Sequence, residues 1–113
     1  MDLDFFKKTR ILDGGMGQEL LARGMKPNGT LWSANAIINP DYHKLLLDTH
    51  FDFVKAGAEV IVTSTFTTRR NRLRDNNVED KFEYLNKKAG EIAQKAKKIY
   101  PSTLIAGGLP PQY

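Results

Sequence analysis

The sequence predicts an α/β chain in which short parallel strands alternate with long crossover helices. Two observations point there. Apolar runs at Ile11-Leu12, Val60–Ser64 and Thr103–Ala106 each break into glycine- or threonine-rich loops. Between them, apolar residues recur at helical spacing, and parallel strands need crossovers of that length. Such crossovers are right-handed almost without exception. Three parallel strands with helices outside them make three-eighths of a (β/α)₈ barrel, or half of an open doubly wound sheet.

In chain order, residues 1–9 carry Leu3, Phe5 and Phe6 beside Lys7 and Lys8. They read as a short helix packed over the end of the sheet. The first strand, 10–13, ends in Asp13 and breaks on Gly14 and Gly15. A short helix, Met16 to Arg23, follows, and Gly24 suits its end because glycine takes the left-handed conformation cheaply. Glu19 reads as a solvated side chain. From Met25 to Asn39 there is no sustained period, so this stretch reads as a loop holding one large aromatic, Trp32.

Asn39-Pro40 is a helix start, an asparagine cap followed by a proline at the first helical position. Tyr42, Leu45, Leu46, Thr49, Phe53 and Ala56 then mark one helix face, and Gly57 ends it. His43 and His50 lie seven apart, the wrong spacing for a two-histidine metal face, and both read as surface residues. Val60–Ser64 is a buried strand rich in β-branched residues. It opens into Thr65–Thr68 and a basic stretch with Arg69, Arg70, Arg72 and Arg74. That stretch reads as a solvated helix start, with contact to an anionic ligand as the alternative. Asp75-Asn76-Asn77 reads as a capping cluster. Val78, Phe82, Leu85, Ala89, Ile92, Ala96 and Ile99 give a long amphipathic helix that stops near Pro101. Thr103–Ala106 is the third buried strand, and the loop Gly107–Tyr113 follows without a further helix.

The whole chain, 1–113, has the length of one small domain. Its hydrophobic content of 41% and charged content of 27% are those of a globular protein. A net charge of +4 fits a solvated surface better than a nucleic-acid footprint, for which salt-sensitive DNA or RNA binding would be the sign. There is no cysteine, which excludes disulfides, thiol catalysis and thiolate metal binding by this chain alone. No run approaches membrane-spanning length and the N-terminus has no signal-peptide core, so a cytoplasmic location is expected.

Asp13-Gly14-Gly15-x-Gly17 is the sharpest local signal: a carboxylate at a strand mouth, then backbone almost free of side chains. It lacks the spacing of dinucleotide and P-loop motifs. Together with LWSANAIINP and FVKAGAEVIVTSTF, the run ILDGGMGQEL resembles the N-terminal part of the homocysteine S-methyltransferase family, over roughly residues 10–109. That resemblance implies a partial (β/α)₈ TIM barrel, its first three parallel strands joined by two long crossover helices, with the site at the carboxyl ends of the strands. It implies a methyl transfer to the thiol of homocysteine, or to a related thiol or selenol, giving methionine in the homocysteine case.

By the same resemblance, Asp13 holds the amino group of homocysteine and Gly14 lies against the amino acid. Trp32 and Ser33 close over its carboxylate end, and Phe66 and Thr67 line the pocket from the second strand's loop. A carboxylate pairs with an ammonium, and N–H groups receive a carboxylate. From the residues alone, Trp32 reads as a local packing anchor. Zinc in the complete family is held by three cysteine thiolates from later strands, which this chain lacks. The expectation is therefore an N-terminal fragment of a homocysteine-binding barrel domain, inactive by itself. The alternative is a non-catalytic module that binds a small amino-acid ligand and homo-oligomerises to cover its sheet edges.

Overall fold

The computed structural model describes residues 2–111. Met1, and Gln112 and Tyr113 at the end of the expected final loop, lie outside them. The strands that form are Val60–Val62 (β1) and Leu104–Ala106 (β2). They pair in parallel, Val60 with Leu104, Ile61 with Ile105 and Val62 with Ala106. The helices are Met16–Ala22 (α1), Asn35–Ile38 (α2), His43–Lys55 (α3), Arg70–Asp75 (α4) and Phe82–Ile99 (α5).

The expected first strand is reduced to a single parallel bridge, Leu12 with Val60. Its hydrogen bonds show why. Glu59 and Val60 N–H groups reach Ile11 O, and Asp13 N–H reaches Val60 O. Beyond these, side chains take over. The Glu59 carboxylate accepts the Ile11 N–H at 2.9 Å, and Asp13 Oδ2 accepts the Val62 N–H at 2.9 Å. Spatially the order is still segment 11–13, β1, β2, all parallel. β2 is half-buried rather than buried along its length.

Residues 2–9 differ from the expected packed helix. Leu3–Lys7 is one 3₁₀ turn with no buried residue. Arg10 tethers it, its Nε donating to Phe5 O at 2.6 Å and its guanidinium lying 3.9 Å from the Phe5 ring centroid. The same arginine pairs with Glu59 at 3.0 Å, at the entrance to β1. Glu19 is not free in solvent either. Arg23 joins it at 3.0 Å and reaches Asp52 at 2.7 Å, linking α1 to α3.

Asn39 caps as expected, its side chain accepting the Asp41 N–H ahead of Pro40. On α3 the fully buried residues are Leu46, Thr49 and His50, while Ala56 is exposed. His50 is thus a core residue, contrary to expectation, and half-buried His43 bonds Ile37 O at 2.7 Å through Nε2. On α5 the buried stripe is Leu85, Ala89, Ile92, Ala93 and Ala96. Ile99 is 64% exposed, and Val78 precedes the helix. Asp75-Asn76-Asn77 ends α4 instead of opening α5, with Asn77 in the left-handed region at φ 62°.

Two apolar clusters hold these elements. The larger joins α1, α2, α3, α4 and α5 through Leu20, Ile37, Leu46, Leu73, Leu85 and Ile92. The smaller seats β1 on the helices through Ala58, Ile61, Ala93 and Ala96. Among the described residues, no helix is long and apolar enough to cross a membrane.

Candidate functional site

The carboxyl end of β1 and the turn after Asp13 open onto one cleft of about 260 Å³. Asp13, Gly14, Trp32, Ser33 and Phe66 all line it, as do Gly15, Gly17 and Ser64. Residues distant in sequence are therefore brought together by the parallel pairing of segment 11–13 with β1 and by the fold of the 25–39 stretch.

Asp13 is the one ionisable side chain lining this cleft among the described residues. Burial pushes its carboxyl above the ordinary carboxylate value, while the Val62 N–H works against that shift. A charged carboxylate short of solvent is a strong partner for an incoming ammonium.

Trp32 stands in a left-handed conformation, φ 53°, that side chains rarely adopt. Strain of this kind persists where surrounding contacts dictate it. The contact here is with Gly17, where an added Cβ would run into the indole Nε1. The glycine clears the space that the indole fills, and Trp32 remains 38% exposed at the cleft. Ser64 was not singled out by the sequence. Its hydroxyl is buried, lines the cleft and has no hydrogen-bond partner. A serine just past a strand is too common for its spacing to have marked it.

Thr67 is placed differently from the other expected site residues. Its side chain is 1% exposed and its hydroxyl donates to Leu31 O at 2.6 Å. It also accepts the Ala34 N–H at 3.0 Å and lies 3.4 Å from Ser33 Oγ. Thr67 therefore ties the loop after β1 to the turn that presents Trp32 and Ser33. It faces a neighbouring cleft of about 400 Å³, for which Trp32 and Phe66 form the shared wall.

The arginine stretch does open a helix, α4, with Arg70 and Arg74 exposed, but Arg69 and Arg72 depart from the expected solvated run. Arg69 stands at the N-cap position of α4 without a side-chain capping bond and is 7% exposed, the Arg70 guanidinium lies over Phe82, and Arg72 Nη1 donates to Thr30 O at 2.8 Å. Asn76 holds the same loop, accepting the Thr30 N–H and donating to Thr30 Oγ1.

A parallel α/β chain with a carboxylate-bearing cleft at its strand ends is the class of protein so defined. Comparison with known proteins narrows it. The family model for homocysteine S-methyltransferase matches residues 10–113, and the chain belongs to that family. Homocysteine S-methyltransferase of Escherichia coli K12 is 30% identical over 110 residues, covering 89% of this chain and 34% of that protein. Homocysteine S-methyltransferase 4 of Zea mays is 29% identical over 91 residues, covering 80% and 26%. The metallated form of the Escherichia coli homocysteine methyltransferase MmuM superposes with a TM-score of 0.79 at 31% identity. That match covers 96% of this chain and 41% of MmuM. The chain thus spans between 26% and 41% of the lengths of these relatives.

The residues present do not fit the zinc that the resemblance implies. The sequence contains no cysteine, and no three His, Cys, Asp or Glu side chains are grouped to hold a metal among the described residues.

Proposed function

We propose that this chain forms the amino-acid-binding part of a homocysteine S-methyltransferase, the first three parallel strands of a (β/α)₈ barrel. The observation that carries the reading is the convergence of Asp13, Gly14, Trp32, Ser33 and Phe66 on one cleft at the strand ends. In it, the Asp13 carboxylate pairs with the ammonium of homocysteine and the glycine turn lets the ligand lie against main chain. Trp32 and Ser33 close over the far end, Phe66 forms the wall, and Thr67 holds the Trp32–Ser33 turn in place. The complete reaction moves a methyl group from a donor to the homocysteine sulfur. Residues 1–113 form the N-terminal part of the barrel domain in this reading and supply substrate orientation. With no thiolate ligands, they transfer no methyl group by themselves.

Supplying the purified chain with homocysteine, zinc and S-methylmethionine or betaine tests this. Homocysteine binding without methionine formation supports the reading. Methionine formation, or no binding at millimolar homocysteine, overturns it.

A second reading, an oligomerising module, draws on Ile11 and Leu12, 57% and 58% exposed on the edge segment. A discrete dimer or trimer by light scattering that does not bind homocysteine supports it over the first.

A further inference from the structure

We propose that a second cleft at the same end of the sheet is an anion site for a carboxylate group, built on Arg69 and Arg70. It measures about 330 Å³ and lies between the loop after β1, the first turns of α5 and the loop after β2. Arg69 is 7% exposed, yet only part of its guanidinium is committed. Nη1 donates to Phe66 O at 3.0 Å, while Nε is buried and has no hydrogen-bond partner. A charged donor left unpaired away from water is unfavourable, and the charge of an anion in the cleft offsets that cost without a direct bond to Nε.

Arg70 supplies the second cation. Its guanidinium lies over the Phe82 ring, 4.0 Å from the centroid, and the exposed side chain lines the cleft. No Asp or Glu lines the cleft, and neither arginine makes an ion pair among the described residues. The remaining polar side chains are committed within the protein, to one another or to main-chain carbonyls. Thr68 Oγ1 donates to Asn86 Oδ1 at 2.7 Å, Asn86 Nδ2 donates to Phe82 O at 2.8 Å, and Thr65 Oγ1 donates to Gly108 O at 2.8 Å. These bonds make a fixed frame in which the two guanidiniums are the open donors. Their planar forks match a carboxylate, which accepts two parallel N–H bonds.

The identity of the ligand rests on the methyl-transfer reading. The two clefts share a partition, the loop after β1, with Ser64 and Phe66 lining the Asp13 side and Thr65 lining this one. The anion is then the carboxylate of a methyl donor seated beside homocysteine.

The test is a titration of the ¹⁵N-labelled chain, following arginine Nε–Hε signals, with glutarate in one arm and inorganic phosphate in the other. Glutarate is expected to shift the Arg69 signal saturably. Arg70→Gln, an exposed position that leaves the core intact, is expected to weaken glutarate about tenfold. Arg74→Gln is expected to change nothing. No saturable shift, an unchanged affinity in Arg70→Gln, or tighter binding of phosphate than of glutarate overturns the carboxylate site. A chain that binds homocysteine but shows no Arg69 response overturns this proposal alone. A chain that binds glutarate at Arg69 but not homocysteine keeps the anion site and overturns its assignment to a methyl donor.

Discussion

Asp13 Oδ2 takes the Val62 N–H at 2.9 Å, on the rung where the parallel ladder would otherwise use the backbone carbonyl of Asp13. One carboxylate oxygen thereby completes the sheet while the group as a whole faces the cleft. Asp13→Asn keeps an acceptor for Val62 and removes the charge. It is expected to weaken homocysteine binding about tenfold with little change in stability. Asp13→Ala leaves the Val62 N–H unpaired and is expected to cost about 1–2 kcal/mol in urea denaturation. Because burial raises the Asp13 value above the ordinary 3.8, homocysteine binding is expected to strengthen as pH rises through that raised value.

Gly17 and Trp32 form a second coupled pair. Gly17→Ala forces the indole out of its place, at an expected cost of about 1–3 kcal/mol for overpacking. Trp32 is the single tryptophan of the chain, so its emission reports the displacement directly. A shifted emission maximum and weakened homocysteine binding are expected together.

His50 gives the fold an acid-sensitive element. It is fully buried, neither ring nitrogen has a partner, and burial lowers its value from 6.5 to about 4. The folded chain therefore holds it neutral while the unfolded chain protonates it below 6.5. The contribution is complete above pH 6.5 and is lost as pH falls towards 4, by about 3 kcal/mol. Denaturation midpoints across that window are expected to fall in the wild type and to flatten in His50→Leu. Asp13 acts in the opposite direction at lower pH, since its raised value favours the protonated folded chain there.

Thr67→Val preserves shape and removes the hydroxyl that bonds Leu31 and Ala34 in a site 1% exposed. The two backbone groups keep their bond to each other, Ala34 N–H to Leu31 O at 3.0 Å, so only the hydroxyl's additional bonds are lost and about 1–2 kcal/mol of destabilisation is expected. If Thr67 serves chiefly to hold the Trp32–Ser33 turn, tryptophan emission shifts in this variant as well.

How much of this was legible in the sequence depended on whether a segment buries one face or all of them. α5 buries a stripe, and Leu85, Ala89, Ile92 and Ala96 announced it by spacing alone. α2 was invisible because Asn35, Ala36 and Ile37 are all buried, so no polar face alternates with an apolar one. His50 extends the buried side of α3 beyond the apolar residues that mark it, and a histidine carries no hydropathy signal to say so. The first strand shortened because Glu59 and Asp13 side chains replaced ladder bonds that composition cannot foresee. Charge content suggested a solvated arginine run, which holds for Arg70 and Arg74, whereas Arg69 is buried and Arg72 bonds Thr30 O, contacts made only once the loops pack around α4. Of the expected site residues, Asp13, Gly14, Trp32, Ser33 and Phe66 meet in one cleft, whereas Thr67 lies behind it and Ser64 joins unannounced.

The most direct measurement is a ¹H–¹⁵N titration of the chain with homocysteine, run in parallel on Asp13→Asn. The expected result is a saturable shift confined to Asp13–Gly17, the Trp32 indole, Ser33 and Ser64, and weakened about tenfold in the variant. Shifts centred elsewhere, or equal binding by the variant, would contradict the assignment of the Asp13 cleft to the amino-acid end of homocysteine.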